Sequence, residues 1–404
     1  MLLKLAWRNI WRNKRRSLVV LLSVIVGVNS LLFMDGLTNG MIYQMLSNQI
    51  SSSIAHIQIH KNGFTDNKVI QSNIPDPAAV EEAIKNNSNI KSYSKRVVTF
   101  GLLSSATNSA GVFINGIVPD DEIKISNISN SIVEGEYFSG GEREIVLGTK
   151  LAEKLEVGLG DKVVALSNMP NGKIGSEVFR IIGLYKTPSS EFDKSFIYIP
   201  IKTAQSMLQL DNRVFEFAIV TNDISITEEV KTELIESLGN SYEVQSYKDL
   251  LPLLIIWMDM YKESLVIINF IVGLALIFGI INSMLMAVYE RINEFGVLMA
   301  IGMKNIKMFF MVVLEAAIIG IFGTLIGLAS GLLINWPISK IGIDLSLFAE
   351  GLNSFGVGAV IYPTLSFENF IMTLLMILVV SVLGAIYPAY KAIKLDPIYA
   401  IRYV

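Results

Sequence analysis

The stretch SLVVLLSVIVGVNSLLFM, Ser17–Met34, carries no charge and follows MLLKLAWRNIWRNKRR, which holds Lys4, Arg8, Arg12, Lys14, Arg15 and Arg16 and no acid. An uncharged aliphatic run of this length is enough to cross a bilayer as a helix. A basic start before an apolar run can also open a cleaved signal peptide. Here the run is long and no A-x-A-like site follows. Met41, Met45, Leu46 and Ile50 continue at helical spacing, so the span is expected to remain and to extend outward as an amphipathic stalk over 17–50. Upstream, Leu2, Leu3, Leu5, Ala6, Trp7, Ile10 and Trp11 alternate with the basic residues. That spacing predicts a helix over 1–16 lying in the membrane interface, with its Trp at headgroup depth.

Working outward, three further uncharged runs of membrane-spanning length lie at Ser264–Tyr289, Ala316–Ser339 and Asn369–Tyr390. The third run is expected to begin nearer Met308, with Glu315 inside it. Lys and Arg collect on the cytoplasmic side of spans. The 290–307 loop holds Arg291, Lys304 and Lys307, the tail holds Lys391, Lys394 and Arg402, and the 340–365 loop holds Lys340 alone. Both termini and the 290–307 loop are therefore expected to be cytoplasmic, with 51–250 and 340–365 outside.

The chain is 17% charged and 52% hydrophobic, but that average hides a split. Residues 51–250 carry 19 Lys and Arg against 26 Asp and Glu, an acidic and normally charged block. This excludes a simple soluble enzyme and a basic nucleic-acid binder. With no Cys there is no disulfide framework. Within the block, 54–60 alternate as a half-buried strand, and 95–117, 142–147, 161–166, 178–185 and 196–199 read as strands around turns. Residues 77–85, 150–155, 202–208 and 227–238 read as helices. The fold class is a membrane α-helical protein of four transmembrane helices, with a large mixed α/β extracytoplasmic domain inserted between helices 1 and 2. The second stalk and span cover 251–289, with Trp257 and Tyr261 at the outer interface. A cytoplasmic helix follows at 290–304, then a span at 305–339, a loop at 340–365, a span at 366–390 and a tail at 391–404.

Catalytic signatures are missing. Gly172-Lys173 and Gly148-Thr149-Lys150 do not complete a P-loop, and Gly158-Leu159-Gly160 lacks the third Gly of a dinucleotide turn. His56 and His60 share a strand face with Gln58. Two imidazoles without a third ligand make a weak metal case, so this face is read as solvated, as is the loop Asp120-Asp121-Glu122. No catalytic residue, metal or cofactor is expected on this chain.

Other features carry mechanical content. Glu315, at the start of the third span, is placed to hydrogen-bond the preceding loop or to sit in the interface. Gly323, Gly327 and Gly331 repeat every four residues and permit close helix approach, inside the subunit or at a dimer seam. Phe295, Leu298, Met299 and Ile301 predict a short helix with an exposed apolar face that calls for a partner or a membrane surface, ended by Gly302. Met34, Met41, Met45, Met258 and Met260, with Tyr261, cluster at the outer ends of spans one and two. They are candidates for a lipid-accessible substrate groove, the alternative being ordinary stalk packing.

Three segments resemble one known family. RINEFGVLMAIG (Arg291–Gly302), followed by Glu315-Ala316 and Ile319-Gly320, is similar to its coupling segment and the start of its third span. YPAYKAIKLDPIYAIR (Tyr387–Arg402) is similar to its C-terminal signature. Glu134-Gly135, IVLGTKLA (Ile145–Ala152) and VGLGD (Val157–Asp161) are similar to its outer domain. The chain thus resembles the MacB/FtsX/LolE-type ABC transporter permeases along essentially its whole length, and its layout is most like the LolC/LolE-type lipoprotein-releasing permeases. MacB proper carries a fused ATPase, and FtsX is shorter with a smaller outer domain.

The resemblance implies mechanotransmission. A separate cytoplasmic ATPase, holding the ATP and Mg, would act through Glu290, Arg291, Glu294, Phe295, Gly296, Leu298, Ala300 and Gly302 on the outer domain. It also implies an inner-membrane location with the large domain periplasmic, a second permease subunit, identical or homologous, and a periplasmic lipoprotein chaperone. The loop Asn168-Met169-Pro170-Asn171 is a chaperone-contact candidate, but an ordinary hairpin is the better reading of it. The competing readings are an exporter of peptides or small toxic molecules built on the same machine, and a membrane-anchored sensor or activator.

Overall fold

The computed structural model describes residues 2–12, 14–65 and 72–394. The Leu395–Arg402 part of the C-terminal signature, with the tail's Arg402, lies outside them. In chain order the elements are α1 (Leu2–Arg12), α2 (Lys14–Gln49), β1 (Ile57–Lys61), α3 (Pro77–Asn86), β2 (Ile90–Ser104), β3 (Ser109–Ile117), α4 (Pro119–Glu122), β4 (Ile132–Gly135), β5 (Glu144–Gly148), α5 (Thr149–Leu155), β6 (Lys162–Asn168), β7 (Ile174–Tyr185) and α6 (Ser190–Ser195). There follow β8 (Phe196–Pro200), α7 (Ile201–Leu208), β9 (Glu216–Thr221), α8 (Thr227–Leu238), β10 (Tyr242–Ser246), α9 (Tyr247–Leu250), α10 (Pro252–Tyr289), α11 (Ile292–Ala300), α12 (Asn305–Ile341), β11 (Ile343–Asp344), α13 (Ala349–Ser354), β12 (Val360–Ile361) and α14 (Phe367–Ile393). The chain divides into two compact units, one of residues up to 42, 257–344 and from 360, the other of 43–256 and 345–359.

Among the described residues, four helices are long and apolar enough to cross a membrane: Ser17–Ile54, Pro252–Tyr289, Asn305–Ile341 and Phe367–Ile393. The protein is a four-span membrane protein with a mixed α/β domain between its first and second spans. In the helical unit, α12 is the central element. Its small residues let α2 come close. A Cβ on Gly323 would stand 2.8 Å from Val24, one on Gly327 2.8 Å from Val28, and one on Gly331 2.6 Å from Leu32. The glycine stripe therefore packs inside the subunit, and α2 covers the face a dimer seam would need. Gly40 works the same way against the chain entering α14, where a Cβ would meet the Tyr362 carbonyl oxygen at 2.4 Å. That approach lets Thr364 N–H reach Gly36 O at 2.9 Å. Beside it the buried Asp35 carboxylate accepts from Asn39 Nδ2 at 2.8 Å and Asn369 Nδ2 at 2.6 Å. A carboxylate at this depth is costly unless hydrogen-bonded.

The outer unit is built on a ten-stranded sheet in the order β10-β1-β9-β2-β3-β8-β5-β7-β4, with β6 pairing β2 and β7. The pairs β3–β8 and β5–β7 are parallel and the others antiparallel. Asp76 caps α3, accepting from Ala78 N at 3.0 Å and Ala79 N at 3.2 Å, with Pro77 supplying a fixed φ at the first turn. One apolar core joins α5 and α7 to the sheet through Leu151, Leu155, Leu208, Val163 and Phe179. A second joins α3 and α8 through Val80, Ile84, Val230 and Leu234 to Ile57, Ile59 and Phe217. The 168–171 loop is the turn of the β6–β7 hairpin, closed by Met169 N–H to Lys173 O at 2.7 Å.

Three expectations change. The strand at 54–60 is β1, shifted to 57–61 and buried on both faces rather than half-buried. His60 and Gln58 are therefore not solvated. His60 is 2% exposed, stacks on Phe64 with ring centroids 4.6 Å apart, and lies 3.1 Å from both Phe215 O and Gln58 Oε1. Asp120-Asp121-Glu122 is not a solvated loop either. It is α4, and Glu122 is fully buried against Arg96. Arg96 donates to Glu122 at 3.0 Å from Nε and 2.6 Å from Nη2, and from Nη1 to Glu216 at 2.7 Å and to Ser53 O at 2.5 Å. Burial alone would raise the Glu122 carboxyl, but the Arg96 charge and hydrogen bonds outweigh it and hold it below the ordinary range. Third, the 290–304 segment shows less apolar surface than expected, because Phe295 is buried in the helical core.

Candidate functional site

The predicted coupling segment forms α11, a nine-residue helix between the ends of α10 and α12. Its stop is a Schellman turn. Gly302 takes the left-handed φ of +95°, its N–H reaches Met299 O at 3.0 Å, and Met303 N–H reaches Leu298 O at 2.9 Å. One side of α11 is anchored. Phe295 packs with Met308, Met311, Val312 and Ala389. Gly296 is buried, while Leu298 and Met299 are half-buried against the same core. The other side is open, with Val297 51% and Ile301 75% exposed and Ala300 and Glu290 also exposed.

A charged network sits at the start of α11. Arg291, 5% exposed, donates from Nη1 to both carboxylate oxygens of Glu315 at 3.0 Å. Its Nε reaches Glu294 Oε2 at 3.2 Å, and its guanidinium lies 5.2 Å from the Phe295 ring centre. Glu294 also pairs with Arg12 of α1. Burial opposes ionisation of Glu294, but Arg12 and Arg291 together hold its pKa below the ordinary value. From α1, Asn9 Nδ2 donates to Glu315 Oε1 at 2.6 Å. Glu315 therefore ties both the preceding loop and α1 to α12. A buried ion pair of this kind persists because every charge has a near partner.

The network contains two residues that sequence reasoning missed, Asn9 and Arg12. Their position on the polar side of α1 gave no sign that they would meet Glu315 of α12 and Glu294 of α11. The six groove candidates differ in exposure. Met34 and Met260 are largely exposed, Met41, Met258 and Tyr261 are half-buried, and Met45 falls in the other unit. A cavity of about 550 Å³ does separate α2 from α10, but Val19, Ser23, Val24, Leu276, Gly279 and Met286 line it, at the end nearer α1.

The family described as "MacB-like periplasmic core domain" matches residues 17–237, and "FtsX-like permease C-terminal" matches 266–397. The chain is 25% identical over 304 residues to the lipoprotein-releasing system transmembrane protein LolC of Xylella fastidiosa, covering 72% of each chain. It is 23% identical to the LolC of Neisseria meningitidis, over 96% of this chain and 94% of that one. It is 26% identical to the macrolide export ATP-binding/permease protein MacB of Bdellovibrio bacteriovorus, over 97% of this chain and 60% of that one. With a MacB-like core domain over more than half of its length and an FtsX-like region on its last three spans, the chain belongs to the MacB/FtsX family of ABC transporter permeases, of the LolC/LolE type.

Proposed function

We propose that this chain is the permease subunit of an ABC transporter that releases lipoproteins from the inner membrane to a periplasmic chaperone. ATP and Mg are held by ATPase subunits on other chains, and a second permease subunit, identical or homologous, completes the transporter. Both termini and α11 face the cytoplasm, and the large domain faces the periplasm. The observation that carries the reading is α11. It is short, rigidly keyed to α12 and α1 through Arg291 and Glu315, and presents exposed Val297 and Ile301 outward. Exposed apolar groups on a fixed helix suit a protein partner, and a push on such a helix passes into the spans. The Neisseria meningitidis relative, named as a lipoprotein-releasing system protein, matches over 94% of its length, which supports that cargo.

The 26% identical MacB relative supports a second reading, export of peptides or small toxic molecules by the same mechanics. Co-purification with an ATPase, followed by depletion and fractionation of lipoproteins, separates the two. Lipoproteins held back in the inner membrane after depletion favour release. Normally sorted lipoproteins overturn it and leave export.

A further inference from the structure

We infer that the groove enclosed by α1, the start of α2 and α12 is a binding site for an anionic phospholipid, one acyl chain in the groove and the phosphate on Lys14. The cavity is about 330 Å³, within the range of small-molecule sites. Its walls are apolar, with Trp7 and Trp11 from α1, Leu18 and Leu21 from α2, and Phe322 and Ile326 from α12. Trp7 packs on Phe322 with centroids 5.4 Å apart and meets Trp11 edge-on at 5.9 Å, so the two indoles form one wall. Both rings stay partly open, 43% and 54% exposed. Indoles of this kind mark headgroup depth.

Charge selects among lipids. Lys14 lines the groove at its polar end. Arg8 and Arg15 are exposed on the same short stretch, and no acid precedes Asp35 in the chain. Arg12 is already paired with Glu294. Among the described residues no ion pair holds Lys14, so the site offers an apolar slot ending in a cation. A chain with a negative phosphate and no amine satisfies both halves, whereas a zwitterionic headgroup brings its own cation to Lys14. Basic pockets at helix ends bind anionic headgroups on this principle. Because Asn9 joins α1 to Glu315, the lipid would brace the same helix that contacts the coupling network.

The chain has four Trp, and replacing Trp257 and Trp336 by Phe leaves the two in the groove as reporters. The full-length W257F/W336F protein is reconstituted in phosphatidylcholine bilayers. These contain either phosphatidylglycerol or phosphatidylcholine brominated on the acyl chains, at equal mole fraction. Brominated phosphatidylglycerol is expected to quench Trp7 and Trp11 with a relative binding constant about fivefold above that of phosphatidylcholine, the electrostatic worth of one lysine. The preference should fall to about one in K14Q and persist in K304Q, which changes an exposed cation outside the groove. Equal quenching by the two lipids, or a preference unchanged in K14Q, overturns the assignment. Neither readout depends on the cargo or on an ATPase.

Discussion

Replacing Glu315 by Leu asks whether a buried ion pair holds α11 in place. Arg291 is 5% and Glu315 3% exposed, and the two share paired 3.0 Å contacts. With Leu at 315 the guanidinium loses both acceptors and Asn9 loses its own. Removing one partner of a buried pair costs about 3–5 kcal/mol, because the other charge stays desolvated. Here Arg291 keeps Glu294 at 3.2 Å, so the lower end applies, about 3 kcal/mol. That raises the open fraction of α11 by roughly 150-fold. Hydrogen exchange across 292–300 in the reconstituted full chain reads it directly. Exchanging both charges for Leu removes the stranded cation and should restore protection to within about 1 kcal/mol. A double-mutant cycle over the two sites should then give a coupling energy of about 2 kcal/mol or more. If E315L changes exchange less than about threefold, or the two single effects simply add in the double variant, the pair does not hold α11 and the reasoning fails.

Four other outcomes follow from the same geometry. Gly40→Ala sets a Cβ 2.4 Å from a backbone oxygen that cannot swing away. It should lower thermal stability by about 2–3 kcal/mol, while Gly323→Ala, which meets the Val24 side chain, should be rescued by Val24→Ala. Val297→Asp and Ile301→Asp should abolish ATPase co-purification and leave the outer domain folded, as should Leu298→Asp; Gly296→Asp, at a buried position, should also loosen α11. Retained association in both exposed-site variants would sink the coupling role of α11. Glu122 has a depressed folded pKa, so its contribution to stability is present above its ordinary value of 4.5 and is lost as pH falls through the depressed one. Glu122→Gln should lower stability at pH 7 and flatten the acid limb of an unfolding curve read by near-UV circular dichroism. Arg291→Lys should keep α11 folded and the ATPase bound, but lower the number of transport events per ATP, measured in proteoliposomes.

What could be read from the residues alone divides by physical cause. The spans were legible because an uncharged run has one solution in a bilayer, and α8 was legible to the residue, Thr227–Leu238, because its apolar period is clean. The Arg291–Glu315 contact was half legible: a carboxylate inside a span needs a partner, and the loop before it was the nearest source. The Asn9 and Arg12 contacts were not, since they depend on α1 folding back on α12, a long-range placement that local pattern does not encode. The polar cluster in the outer domain was misread for a similar reason. Alternation places Gln58 and His60 on one face of β1, but it does not say whether that face is covered. Nor does DDE distinguish two exposed acids from Glu122, which α4 turns inward onto Arg96.

The ion pair at Arg291 also bears on why the segment carries charge at all. Apolar groups of equal volume would hold α11 to α12 at least as firmly, since burying two charges costs nearly what their attraction returns. What the charges add is register. Phe295 against Met308 and Val312 is a contact between smooth surfaces, and one turn of slippage would cost little. One guanidinium nitrogen, Nη1, reaches both oxygens of Glu315 while Nε reaches Glu294, so the planar group bridges two carboxylates and has one position along α12. Glu294 with Arg12 and Asn9 with Glu315 fix α1 to the same position. A helix that receives a push must not slide along the helix it pushes, because sliding dissipates the stroke. Lysine has one ammonium where arginine has a planar fork, so it keeps the charge and gives up the register. That is the physical content of expecting Arg291→Lys to bind the ATPase and still waste its ATP.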